Sequence, residues 1–382
     1  TNAETTTQVQ HRSGARAAMH RILALADVQS NGDRPWDPEI HDPRLYRRVL
    51  AGGSLVAGEA YMDGWWDCEA LDQLFERLLR HRVDRDVGSS WRQRWKVVKA
   101  KLLNLQSRSR AREVGEVHYD RGNDLFERML GERMIYSSGY WRRARTLDEA
   151  QAAKLDLICQ KLGLESGMRV LDIGCGWGGF AAYAARQYGV EVVGLTISKE
   201  QAALARERCA GLPVDIRLQD YRAVDEPFDR VVSIGMFEHV GHKNHRTYVE
   251  IVRRCLPDDG LSVLQTIGTH EEATLTDPWI ETYIFPNGLI PSARQITEAI
   301  GDRFVVEDWQ NFGADYDRTL MAWAQRFERA WPKLSERYDE RFRRMWRYYL
   351  LQCAGAFRAR RNQVWQIVLS PCGVSGGYRS VR

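Results

Sequence analysis

The chain has 382 residues, enough to bury a sizeable core and to divide into one large domain and a smaller one. Hydrophobic residues make up 44% and charged residues 28%, an ordinary balance for a globular protein, and a formal net charge of +4 is too small to indicate a nucleic-acid partner. The 7 cysteines are scattered and form no C-x-x-C pair, which points to reduced thiols in a cytosolic protein and away from a disulfide framework or a zinc site. The opening stretch "TNAETTTQVQHRSG" has no apolar signal region, and no apolar run reaches the roughly 18 residues of a membrane span, so neither secretion nor spanning is expected.

Taken in chain order, residues 1–14 read as a disordered tail. Residues 15–88 read as a small helical N-terminal domain in short segments, with breaks at "SNGDRPWDP" and "AGGS". A basic amphipathic linker follows over 89–115. Over 89–112 it carries Arg92, Arg94, Lys96, Lys99, Lys101, Arg108, Arg110 and Arg112 with no acid, while Trp91, Trp95, Val98, Leu102 and Leu105 recur at helical spacing. That pattern fits a helix docked on its own domain, or one that meets an anionic membrane surface.

Residues 116–382 are predicted to form the catalytic domain. "MRVLDIGCG", "VEVVGLTIS", "VDIRLQDY", "FDRVVSIGMF" and "LSVLQTIG" read as five short buried strands, with helical stretches such as "GFAAYAARQY" and "KEQAALARERC" between them. Strands alternating with helices predict an α/β fold, a doubly wound Rossmann-like sheet of mostly parallel strands. The tail from about Thr319 to Gln366 is expected to be mainly helical.

The glycines at 174, 176, 178 and 179 close directly on the first of those strands. No G-K-[ST] follows, which excludes a phosphate loop; the G-x-G-x-x-G spacing of a dinucleotide site is formally met. Asp172, two residues earlier, decides between the remaining readings. A carboxylate there repels a pyrophosphate but can meet a ribose or an ammonium, so the loop suits S-adenosylmethionine, a nucleoside with no phosphate. The strand end "VVGLTISKEQ" offers Thr196, Ser198 and Gln201 where many methyltransferases carry an acid. "LQDY" places Asp220 and Tyr221 where the edge and face of an adenine could be met.

With "YDRGNDLFERML", "SIGMFEHVG", "YIFPNG", "NFGADYDRTLMAW" and "CAGAFRAR" added to these motifs, the sequence resembles the bacterial cyclopropane-fatty-acyl-phospholipid synthases, and more distantly the mycolic acid cyclopropane synthases. The resemblance runs from about Tyr46 to near the end of the chain. It implies cofactor contacts at Tyr136 and Ser137, along Asp172, Gly174, Cys175, Gly176 and Gly178, at Thr196 to Gln201, and at Asp220 and Tyr221. It implies a phospholipid acyl chain as substrate, a dimer, and a peripheral position on the inner face of the membrane.

The implied chemistry joins a methylene group to a cis double bond. The alkene attacks the sulfonium methyl, a carbocation forms, and loss of a proton from the new methyl closes the ring. Such a site needs a dry apolar slot and a base. Glu238 and Tyr316 are the predicted catalytic residues, whereas Cys353 has no obvious role in a carbocation route and is expected to be a buried helix residue. His239 is expected to be structural, and His242 and His245 lack a third partner, so no metal is predicted. Where many family members read "YSCAYW" this chain reads "YSSGYW", placing Ser138 at the cysteine position, and Gln265 stands where they carry His. In the family those two side chains, the matching Glu and Tyr, and a backbone near Ile267 hold a bicarbonate ion that accepts the ring proton. Ser138 and Gln265 are not bases at neutral pH, but both can donate hydrogen bonds to an anion, so retention of bicarbonate is the expectation. The alternatives are a lipid methyltransferase that makes a methyl or methylene branch, a small-molecule methyltransferase, and an inactive membrane-binding scaffold.

Overall fold

The computed structural model describes residues 14–83, 123–271 and 276–382. Of the tail expected over 1–14 all but residue 14, and the whole of the amphipathic segment expected over 89–115, lie outside the described residues.

All five predicted strands are present: β1 Arg169–Ile173, β2 Glu191–Thr196, β3 Val214–Leu218, β4 Arg230–Ile234 and β5 Leu261–Gly268. Two further strands, β6 Val305–Asn311 and β7 Gln363–Ser370, complete one sheet in the order β3-β2-β1-β4-β5-β7-β6. The first five pair in parallel, and β7 runs antiparallel between β5 and β6. The strands of the parallel part are near-continuously apolar because both faces are covered. Leu171, Ile173, Val231 and Leu264 pack on one face with the helices His245–Cys255 and Ala293–Ile300. Val170, Val192, Val232 and Val263 pack on the other with Leu147–Lys161 and Gly179–Tyr188.

The described residues group into two units that interleave along the chain. One holds 14–83, 276–286 and 323–361; the other holds the sheet, with 123–271, 287–322 and 362–382. The single domain expected over 116–382 is therefore split, its helical segments 276–286 and 323–361 grouping with the N-terminal helices. In that helical unit Tyr348, on helix Glu340–Arg358, is ringed by Tyr61, Trp66, Phe75 and Trp279 at centroid distances of 4.5–6.3 Å.

Two local expectations change. "AGGS" does not end a helix: it lies inside Leu45–Met62, which kinks at Gly53 (φ 63°, ψ −145°) and continues. The helical tail stops at Arg358, and the chain is already extended at Gln363, where "QVWQIVLS" forms a fully buried strand. A short apolar run has no period that separates a buried strand from a helix end.

Strand β7 matters because it fixes β5 on its far side, with Gln265 opposite Gln366 and Ile267 opposite Val364. Gly268 ends β5 under the Trp365 ring, where a Cβ atom would fall 2.0–2.6 Å from three ring carbons. Gly268→Ala is therefore expected to cost about 1–3 kcal/mol as an overpacking strain, read as a lower urea midpoint with an unchanged slope.

Candidate active site

Reversal of the strand order between β1 and β4 opens a crevice at their carboxyl ends, the usual ligand position in such sheets. A cleft of about 200 Å³ occupies it. Tyr136, Ser137, Asp172, Gly174, Cys175, Gly176, Thr196, Ser198, Gln201, Asp220 and Tyr221 all line this cleft. Gly178 does not; it caps helix Gly179–Tyr188 in the left-handed region at φ 78°.

The loop after β1 is built from its glycines. Gly174 turns at φ 85°, and a Cβ there would meet Met236 at 2.7 Å, so only glycine fits. The Gly174 and Cys175 amides both donate to the Leu195 carbonyl on β2, at 3.0 and 2.8 Å, which ties the loop to the neighbouring strand end. Thr196 donates to Gln201 Oε1 at 2.9 Å, and Ser198 caps helix Lys199–Arg208 by accepting from the Gln201 amide. Asp220 is gripped by the Arg222 guanidinium at 2.6 and 2.9 Å, so its carboxylate is held in place and its charge is answered within the chain. Tyr221 sets an edge against Tyr248.

Asp172 is 1% exposed, and its Oδ2 has no hydrogen-bond partner among the described residues. Burial pushes this carboxyl upward, and the charge of Lys154 opposes the shift. Sequence reasoning missed Lys154 and Gln151. They lie one turn apart on Leu147–Lys161, inside the buried stripe that also holds Leu147, Ala150, Leu155 and Ile158. Two polar residues in such a stripe are the signal that was there to be read. Gln151 donates to the Ser137 carbonyl at 2.8 Å and Lys154 to the Ser137 hydroxyl at 3.0 Å, fixing the segment that carries Tyr136 and Ser137.

Glu238 sits in the short turn Phe237–His239 that follows β4. Its Oε1 accepts from the Ile267 amide at 2.6 Å, while Oε2 has no hydrogen-bond partner among the described residues. Desolvation pushes its carboxyl up to about 7, against the pull of that amide. Gln265, two residues before Ile267 on β5, accepts on Oε1 from Gln366 Nε2 at 3.0 Å, which leaves its own amide donors for other groups. The Ser138 hydroxyl is fully buried and donates to the Gly139 carbonyl at 2.9 Å. The loop carrying Ser138 is fastened to the first turns of helix Gly313–Leu334, where Tyr316 is buried: the Gly139 amide and the Trp141 indole both donate to Thr319, and the Trp141 amide to Asp315. Cys353 is on helix Glu340–Arg358, which belongs to the other unit, and burial pushes its thiol up to about 12, far from a working thiolate. His239 lines the cleft, and burial pushes it down to about 4, so at neutral pH it is an uncharged imidazole.

The family described as mycolic acid cyclopropane synthetase matches residues 106–367. Cyclopropane-fatty-acyl-phospholipid synthase of Escherichia coli K12 is 53% identical over 363 residues, covering 95% of each chain. Tuberculostearic acid methyltransferase of Mycobacterium tuberculosis is 32% identical over 396 residues, covering 94% of this chain and 90% of its own. Among solved structures, a mycolic acid cyclopropane synthase complexed with SAH and CTAB has a TM-score of 0.63 at 35% identity, covering 68% of this chain and 98% of its own.

The Glu238 carboxyl binds its proton more tightly in the fold than in the unfolded chain, so stability falls as pH rises from its ordinary value of 4.5 through about 7. Glu238→Gln removes that titration. Relative to wild type, the variant is expected to be more stable at pH ~8 than at pH ~5, and urea melts at both pH values check the sign.

Proposed function

The chain belongs to the cyclopropane synthase family, and we propose that it transfers a methylene group from S-adenosylmethionine to the cis double bond of a phospholipid acyl chain. The observation that carries the reading is Asp172, a buried carboxyl with an open oxygen beside a glycine turn in the cleft. That donor set suits a cationic nucleoside with an amino-acid tail and not a pyrophosphate. Tyr136, Ser137, the 172–178 loop, Thr196, Ser198, Gln201, Asp220 and Tyr221 are assigned to the cofactor. Bound there, adenosylmethionine supplies an electrophilic methyl group.

The chain's residues then have two tasks, to keep water from a carbocation and to accept one proton. Glu238 carries the open carboxylate oxygen, and its bond to the Ile267 amide holds it against β5. Gln265, with Oε1 taken by Gln366, presents N–H groups. Those donors, with Ser138 and Tyr316, suit a small bound anion, and bicarbonate is the base assigned to the ring proton. Ser138 must release the Gly139 carbonyl to donate to it, which a hydroxyl rotor does readily. A second reading is favoured by the two substitutions themselves. With Ser138 and Gln265 in place of Cys and His, Glu238 or Tyr316 takes the proton directly and the cation collapses to a methylene-branched chain in place of a ring.

Turnover on unsaturated phospholipid vesicles should add one CH₂ per modified chain, fall in bicarbonate-depleted buffer and recover when the ion is restored. Full activity without the ion excludes the bicarbonate assignment, and mass-spectrometric location of the new carbon separates ring from branch.

A homodimer seated on the inner membrane face is proposed with this activity, since the substrate is a lipid and the 89–112 segment pairs two tryptophans with eight basic residues and no acid. Vesicle binding is expected to rise with anionic lipid and fall with salt, at about 1 kcal/mol per engaged basic residue. Reversing Arg92, Lys96 and Lys99 together should lower vesicle sedimentation while leaving adenosylmethionine affinity unchanged.

A further inference from the structure

Lys154 is fully buried, an expensive position for an ammonium unless the charge is answered. It reaches the cleft from the middle of Leu147–Lys161, and among the described residues one of its three donors has a partner, the Ser137 hydroxyl at 3.0 Å. Asp172 lines the same cleft from β1, with Oδ2 open. The two groups act on each other electrically, each favouring the charged form of the other against burial. Leu155, Ile173, Cys175 and Leu195 surround them in the lining. Burial still holds the lysine's pKa down and the carboxyl's up, so the cleft holds one open carboxyl oxygen and one amine with spare donors, whose charges a ligand can answer.

We propose that Lys154 and Asp172 form a two-point receptor for the amino-acid end of adenosylmethionine, the lysine taking the ligand's carboxylate and the aspartate its ammonium. A zwitterion can divide the pair between its own two charges and leave no buried charge unanswered. A ligand bearing one of those charges strands the other group, at the cost of an unmatched ion. The inference rests on the cofactor reading of the cleft and assigns it a polarity. It also gives Lys154 a reason to occupy a helix stripe where leucine would pack as well.

Calorimetry separates this role from a merely structural one. Wild-type protein should bind decarboxylated adenosylmethionine about tenfold or more weakly than adenosylmethionine, the order of one charge-assisted contact. Equal affinities overturn the proposal without any variant. Lys154→Met should lose that discrimination by weakening adenosylmethionine, and should bind methylthioadenosine, which has no amino-acid end, within about threefold of wild type. If methylthioadenosine weakens as much as adenosylmethionine, Lys154 only braces Ser137 and the proposal fails. If wild-type protein binds neither adenosylmethionine nor methylthioadenosine, the cofactor reading itself falls, and this inference with it.

Discussion

Taking a carboxylate out of water costs several kcal/mol unless other groups answer its charge. This sheet buries two at its switch point, Asp172 on β1 and Glu238 just beyond β4, and much of the surrounding structure answers them. Lys154 faces the first from a helix on one side of the sheet. The Ile267 amide meets the second from the next strand. Each carboxylate keeps one oxygen without a donor among the described residues, so each remains able to take a ligand's hydrogen bond or proton. The same burial that makes these groups costly makes them effective, because an interaction in a dry site is not diluted by solvent.

The two carboxylates have different neighbours and so different uses. Beside Asp172 stands Lys154, whose charge opposes the upward shift that burial gives the carboxyl, and the pairing suits contact with a charged ligand. Glu238 is met by the Ile267 amide, and its carboxyl rises to about 7, a value fit for gaining and losing a proton at neutral pH.

Much of this was legible in the sequence because it is local. The glycine turn, the acid two residues before it, five buried strands and the cap at Ser198 each sit within one short window. Long-range pairings were not legible. Nothing in "QVWQIVLS" announces that Gln366 will cross from β7 to orient Gln265, since that contact joins residues about a hundred positions apart. Lys154 was hidden for another reason: a lysine in a helix is assumed to reach solvent, and only the apolar residues flanking it argued otherwise. The split of the units followed from the same limit, for the helices 323–361 belong by packing to residues that precede the sheet.

The Gln265–Gln366 pair also bears on the proposed anion site. A histidine at 265 could carry a charge, and its neighbour on β7 would have to tolerate that charge. An amide cannot, but it can be aimed: with Oε1 engaged by Gln366, the Nε2 donors must point away from β7. Gln366 thereby supplies by orientation what a histidine supplies by charge. On the bicarbonate reading, the anion loses a cationic neighbour and retains a fixed donor, which weakens its binding without displacing it. On the direct reading, the fixed donor serves Glu238, whose free oxygen then has to ionise in a site with one fewer source of positive charge. The first arrangement leaves the ring proton with a mobile base, whereas the second holds the base on the protein backbone's own terms. The aimed amide fits the first better, since a neutral donor is enough to hold a small anion but does little to lower the cost of a buried carboxylate.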